Sequence, residues 1–335
     1  MSVNPDLRDS TGVQIAQTDG DADFLRLTVA RKIRVANGIT LFELRAADGA
    51  ALPAFSAGSH LTVQVPNGTR RNYSLCSDPA DTSHYAIAVK RDERGRGGSV
   101  SMNDEVHEGD TLMVSSPRNN FELAERASSF LFVAGGIGIT PILSMMRHLK
   151  RAGDRPFKLY YCTRDADSTA FIPELTAEFG DAVTLHHDEG DIDRALDLWP
   201  VLEKPSGAHV YCCGPKGLME SVEDMSGHWP SGTVHFESFG VDAAGFAENQ
   251  PFKVTLAKTQ RTLDVPADKT ILEILRASGV RVPSSCESGT CGSCKTRLLA
   301  GEAEHRDMVL SDDEKSDHVM VCVSRAKSAE LVLDL

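Results

Sequence analysis

Three cysteines stand within nine residues near the C-terminus, in "SSCESGTCGSCK": Cys286, Cys291 and Cys294. A fourth, Cys322, follows in "VMVCVSR" after 27 intervening residues. The pattern C-x4-C-x2-C…C is a thiolate spacing that holds a [2Fe–2S] cluster. A zinc site favours two C-x2-C pairs, whereas here one half has a four-residue gap and the other a lone cysteine. Disulfides suit small secreted domains, and the polar N-terminus shows no secretory signal. Gly289 and Gly292 allow the loop to turn tightly and to aim backbone N–H groups at sulfur, which helps set a cluster's potential. The spacing favours iron–sulfur ligation. Zinc and disulfides stand as the alternatives, and zinc would make this a four-cysteine binding protein without redox activity.

Two glycine-rich stretches carry a second kind of chemistry. "AGGIGITP" (134–141) follows the apolar run Phe130–Val133 and precedes a helix with apolar residues at Ile142, Leu143, Met146 and Leu149. A strand, a glycine turn and a helix N-terminus together present N–H groups to phosphates. The turn is not G-x-G-x-x-G, and taken alone its alternative is a tight connection with no ligand. "RGGS" (96–99) offers N–H groups and Ser99 at a helix start, a seat for phosphate or else an exposed loop. The adjacent His186 and His187 point to opposite faces of a strand, which suits a structural role better than a metal. His60 is likewise read as structural.

Positioning these groups takes several elements. Residues 24–120 hold six or so short alternating segments, with Asn-Gly hairpin signals at 37–38 and 67–68, and one helix beginning at Ser99. That pattern predicts an antiparallel β-barrel. The middle alternates strands and helices, with "FKLYYCTR" (157–164) and "AHVYCCGPKGLMESV" (208–222) as further strand-led units, and predicts a parallel sheet. Near the end, "FKVTLAKTQRTLDVP" reads as a hairpin. Thr270 and Glu273 then form a capping box before a helix with Ile271, Ile274 and Leu275 on one face and Gly279 just past its end.

At 335 residues the chain needs two or three domains. The formal charge of −13 argues against nucleic acid. No apolar run reaches about 18 residues, so no membrane span is expected. The region 251–335 is nearly neutral, with 12 Lys/Arg against 13 Asp/Glu, so most of the acidity lies elsewhere.

From about residue 250 onward the chain resembles plant-type ferredoxins of β-grasp fold. The barrel and the nucleotide sheet resemble the ferredoxin–NADP reductase superfamily. "RNYSLCS" (71–77) matches its R-x-Y-S flavin motif, "GGIGITP" (135–141) its nicotinamide-dinucleotide turn, and "CCGP" (212–215) its Cys-Gly loop. The order flavin, dinucleotide, cluster is similar to the reductases of Rieske non-haem iron oxygenases. This resemblance implies a multidomain chain: an N-terminal extension (1–22), an FMN-binding β-barrel (23–124), an α/β NAD-binding domain (125–236), a linker (237–250) and an α+β ferredoxin domain (251–335).

The resemblance implies FMN rather than FAD, and no separate seat for an adenylate half is evident. Arg71 is a permanent cation suited to the FMN phosphate, beside Gly97, Gly98 and Ser99. Tyr73 would lie along the flavin ring and Ser74 would donate to it, with Ala88, Val89 and Lys90 at its edge. Gly135, Gly136, Gly138 and Pro141 would hold the pyrophosphate. Thr140, Cys213, Gly214 and Pro215 would bound the nicotinamide, and Phe239 in "HFESFG" would cover the flavin face. Cys213, Thr140 and Phe239 are thus the expected catalytic set. In "CTRDADSTAF" the acids Asp165 and Asp167 disfavour a 2′-phosphate, so NADH is expected over NADPH, with Asp165 toward the adenosine ribose and Arg164 the residue that opposes this choice. The implied activity is an NADH-dependent reductase that passes electrons through FMN and [2Fe–2S] to a Rieske-type oxygenase. Phthalate 4,5-dioxygenase is the oxygenase that the resemblance implies first; phenoxybenzoate and vanillate systems are alternatives. A cytoplasmic monomer without nucleic-acid or membrane partners is the corresponding expectation. An enzyme acting on its own organic substrate would need a further site, and no 2-His-1-carboxylate set with helical spacing appears.

Overall fold

The computed structural model describes residues 15–16, 24–93, 95, 97–153, 155–239, 249–267, 269–284, 289, 292–307 and 309–335. The chain divides into two compact units, Met1–Glu237 and Ser238–Leu335. Most of the expected N-terminal extension lies outside the described residues. Within it, Ile15–Ala16 (β1) pairs antiparallel with the start of the next strand, Ile15 opposite Leu25.

The first unit begins with β2 (Phe24–Ala36), β3 (Ile39–Ala46), β4 (Ser59–Gln64), β5 (Arg70–Ser74), β6 (Tyr85–Lys90), α1 (Gly98–Glu105), β7 (Thr111–Ser115) and β8 (Arg118–Asn119). Alternation builds it: Leu25, Leu27 and Val29 of β2 are buried and join Phe42, Leu61, Val63, Ile87 and Val114 in one core. Both Asn-Gly sites are turns, with Gly38 at φ 68° and Gly68 at φ 82°, conformations that favour glycine. The antiparallel order is β5-β4-β7-β2-β3-β6. A Leu75–Ile87 bridge and the bond from Cys76 N–H to the Ala86 carbonyl, 2.9 Å, join the two edges. The two ends of the sheet thereby meet and the sheet curls into a barrel.

Next come β9 (Phe130–Gly135), a 3-10 turn (Gly136–Gly138), α2 (Ile139–Ala152), β10 (Phe157–Thr163), α3 (Ile172–Phe179), β11 (Val183–His187), α4 (Trp199–Leu202), β12 (His209–Cys213), α5 (Lys216–Ser226) and β13 (Val234–Glu237). All pairings are parallel, in the order β11-β10-β9-β12-β13. The order reverses between β9 and β12. In open α/β sheets that switch point, at the carboxyl ends of the strands, is where ligands bind. Both "GGIGITP" and "CCGP" follow those two strands.

The second unit contains β14 (Phe252–Leu256), β15 (Arg261–Val265), α6 (Ile271–Ala277), β16 (Lys295–Ala300), β17 (Ala303–Glu304), β18 (His318–Met320), β19 (Arg325–Ala326) and β20 (Glu330–Leu333). Its main sheet runs β15-β14-β20-β16-β18, with β14 and β20 parallel. Helix α6 has the expected capping box: Glu273 N–H donates to Thr270 Oγ1 at 3.1 Å, and Thr270 N–H to Glu273 Oε2 at 2.7 Å. Gly279 follows at φ 76°. Ile271, Leu272 and Leu275 bury in a core that also contains Cys294 and Cys322. Leu272 was not among the expected face residues.

Candidate functional site

At the barrel, β5 presents the flavin motif. Gly98 approaches Arg71 so closely that an added Cβ would lie 2.6 Å from Nε. The start of α1 and the guanidinium therefore form one cationic corner. Gly97 precedes the helix at φ 75°, and no side chain among the described residues caps the helix. Uncapped N–H groups beside a cation suit a phosphate. The Ser99 hydroxyl is already engaged: it accepts from Asp92 N–H at 3.1 Å. Tyr73 has a buried hydroxyl with no hydrogen-bond partner among the described residues, and burial pushes its pKa up to about 12 against the lowering effect of Arg71. A buried orphan hydroxyl is what a bound ligand oxygen would satisfy. These residues fit an FMN phosphate and ribityl chain. Ser74 donates to Glu237 Oε2 at 3.4 Å. Glu237 lies within the quoted "HFESFG", but a single carboxylate at a strand end carries no sequence signal.

Strand alternation divides the expected flavin-edge residues. Ala88 packs in the core it shares with Ile139 and Cys213, whereas Val89 turns into the barrel interior. Lys90 is exposed. Only Ala88 and Lys90 share a face, so the side chain of Val89 does not line the same surface.

The dinucleotide turn and the Cys-Gly loop meet backbone to backbone. A Cβ on Gly138 would collide with the carbonyl of Cys213, one on Gly135 with Pro215, and one on Gly214 with the Gly135 backbone. Tyr161 OH donates to the Gly136 carbonyl at 3.0 Å and braces the turn from β10. Thr140 is buried and donates to the Ile137 carbonyl at 3.0 Å; Pro141 beside it is also buried. Strand β6 of the barrel contacts the Gly136–Gly138 turn, which brings the flavin half and the dinucleotide half together. Cys213 is fully buried, and burial first, then Glu237 and Cys212, push its thiol well above the usual range. It is a neutral thiol. Among the expected adenosine-side residues, Asp165 is exposed and accepts from Ser168 N–H at 2.7 Å, which holds its carboxyl below the usual range. Its carboxylate thus also builds its own loop. Asn37 N–H donates to the Asp167 carbonyl at 2.7 Å. His186 bonds the Arg194 carbonyl at 2.7 Å, in keeping with a structural role.

In the second unit, Phe239 is 42% exposed. Cys294 and Cys322 are buried at 2% and 1% exposure, and no disulfide joins the described cysteines. Cys286 and Cys291 lie outside the described residues. Gly289 (φ 80°) lies against Val323, next to Cys322, and against Asp307; Gly292 has φ 76°. Both conformations favour glycine, and Gly289 thereby approaches the turn that holds Cys322. Two buried thiols in that setting fit a four-thiolate cluster.

Three family models match: an oxidoreductase FAD-binding domain over residues 26–123, an oxidoreductase NAD-binding domain over 132–224, and a 2Fe-2S iron-sulfur cluster binding domain over 254–327. The phthalate 4,5-dioxygenase oxygenase reductase subunit of Pseudomonas putida is 61% identical, covering 94% of this chain and 98% of that protein. The phthalate dioxygenase reductase of Burkholderia cepacia is 60% identical, covering 95% and 99%. The solved structure of phthalate dioxygenase reductase, described as modular for electron transfer from pyridine nucleotides to [2Fe–2S], superposes with a TM-score of 0.87 at 60% identity. That match covers 93% of this chain and 98% of the solved one.

Proposed function

We infer the function from one premise: the chain belongs to the phthalate dioxygenase reductase family. It is an NADH-dependent oxidoreductase that transfers electrons through a flavin to a [2Fe–2S] cluster. The observation that carries this reading is the meeting of the Gly135–Gly138 turn, the Cys213–Pro215 loop and strand β6 in one place. When bound, the flavin accepts a hydride and gives up electrons singly, which suits a one-electron cluster.

The chain's residues bind and orient. Arg71 with Gly97, Gly98 and Ser99 holds the phosphate of FMN, and the hydroxyl of Tyr73 gains its missing partner there. Ser74 and Ala88 border the ring. Gly135, Gly136 and Gly138 leave room for the pyrophosphate at the start of α2, where N–H groups and the helix dipole favour anions. Cys213, Gly214, Pro215 and Thr140 shape the nicotinamide side. The neutral thiol of Cys213 takes no part as an acid or base. Asp165 faces the adenosine ribose and favours NADH, and Phe239 shields the flavin. Cys286, Cys291, Cys294 and Cys322 hold the cluster. The domain limits follow the sequence reading: flavin barrel 23–124, dinucleotide domain 125–236, linker 237–250 and ferredoxin domain 251–335. The protein works as a cytoplasmic monomer and delivers electrons to a Rieske-type oxygenase, phthalate 4,5-dioxygenase in first place.

Reconstitution tests the partner. The purified protein, NADH, dioxygen and the oxygenase component of Pseudomonas putida phthalate 4,5-dioxygenase are expected to convert phthalate to its ring dihydrodiol, with both atoms of dioxygen entering the ring and the two electrons coming from NADH. Flavin reduction by NADH without product, but with turnover of a phenoxybenzoate or vanillate oxygenase, would reassign the partner. Acid-released flavin that chromatographs as FAD would overturn the FMN assignment.

A further inference from the structure

Helix α2 carries a polar clamp that the dinucleotide turn does not use. Arg147 donates through Nε and Nη2 to the two carboxylate oxygens of Glu178 on α3, at 3.1 and 2.6 Å. Its remaining nitrogen, Nη1, donates to the carbonyl of Cys76 at 2.7 Å. Cys76 is a barrel residue, two positions beyond Ser74, and its own N–H is fixed to Ala86 of β6. The guanidinium therefore ties the segment just past the flavin-motif strand to α2 and α3 of the dinucleotide half. Arg147 and Glu178 keep only 21% and 31% of their side-chain surface, so water screens the pair weakly. One turn further on, Arg151 pairs with Asp78, but at 60% exposure of Arg151 that contact is screened and contributes less. Two positions before Arg147, Met145 of α2 packs against Gly58 of the barrel, where an added Cβ would lie 2.9 Å from its Cε. The same rigid helix begins at Ile139 and Thr140, about two turns before Arg147.

We propose that Arg147 is a positioning residue that fixes the dinucleotide half against the flavin barrel, so that it sets the rate of hydride transfer without contributing to NADH binding. This rests on the NADH-to-flavin reading above. A guanidinium planar fork holds two partners at a fixed angle, which a point-charge ammonium does not. Hydride transfer is steep in donor–acceptor placement, and a misplacement of about 1 Å can cost roughly a hundredfold. NADH affinity depends on the 135–141 turn and the 213–215 loop, which lie within the dinucleotide half and are left intact.

The test is anaerobic stopped-flow reduction of the holoenzyme by NADH, comparing wild type with Arg147→Met, Arg147→Lys and Glu178→Gln. The limiting rate of flavin reduction in R147M is expected to fall about tenfold or more, with the half-saturating NADH concentration within about twofold of wild type. R147K is expected to recover part of the loss, because its ammonium reaches Cys76 but cannot span Glu178. An unchanged limiting rate in a flavin-loaded variant overturns the proposal, as does a loss confined to NADH half-saturation. If R147M does not fold, E178Q decides between the same outcomes with a smaller expected fall. A wild-type flavin that NADH does not bleach would instead overturn the functional reading, and the inference with it.

Discussion

At the scale of single residues, the site is a set of close approaches and one silent thiol. Gly138 has no room for a side chain because an added Cβ would lie 2.1 Å from the Cys213 carbonyl oxygen. Gly138→Ala is expected to push the two loops apart, to cost more than about 2 kcal/mol in unfolding free energy, and to lower NADH-driven flavin reduction. Thermal unfolding and a single-turnover assay check both parts, and a wild-type melting point would contradict the packing described here. Cys213 is the second case. Burial keeps its proton on well above the ordinary thiol range. The rate of flavin reduction by NADH should therefore show no rising or falling limb from this group between pH 7 and 9, and iodoacetamide should leave it unmodified in the folded protein. Sequence made both residues visible as motif members. Their mutual contact was not readable, because residues 75 positions apart meet only through the parallel pairing of β9 and β12.

At the scale of elements, local chemistry was legible and side-chain direction less so. The Thr270–Glu273 capping box, the Asn-Gly turns and the left-handed Gly279 all follow from short-range rules. Thr270→Ala is expected to cost about 1 kcal/mol, seen as an earlier unfolding transition followed by the cluster's visible circular dichroism. The flavin-edge strand shows the limit: Ala88, Val89 and Lys90 are neighbours in sequence, yet the period of two sends Val89 into the barrel. Arg147 and Glu237 gave no signal at all, since each acts through a partner far away in sequence. The buried thiols of Cys76 and Cys212 and the half-buried thiol of Cys162 also make a collective prediction. Burial raises Cys76 and Cys212 to about 12 and Cys162 to about 11, from an ordinary value of 9.0. Each thiol ionises later in the folded chain than in the unfolded one. The stability they confer is complete below pH 9 and is lost as pH rises toward 11 to 12. Unfolding free energy should fall above pH 9 with a slope approaching about 1.4 kcal/mol per pH unit for each thiol. Chemical denaturation at pH 8, 9 and 10 measures it, and a flat profile would contradict the assignment.

At the scale of the molecule, modules matter more than any single contact. A barrel, a parallel sheet with its switch point beside the barrel, and a cysteine-bearing mixed sheet follow one another along the chain. Each was readable from period, glycine placement and cysteine spacing, because each is set by contacts within its own segment. What joins the modules is long-range and was not readable. Electrons pass from NADH through the flavin to the cluster. Anaerobic NADH titration of the purified protein, followed by visible absorption and low-temperature EPR, reads that path from end to end. Flavin absorption is expected to bleach as the rhombic signal of a reduced [2Fe–2S] cluster appears. Bleached flavin with no such signal in a cluster-loaded sample, or a colourless protein holding zinc at its four cysteines, would contradict it.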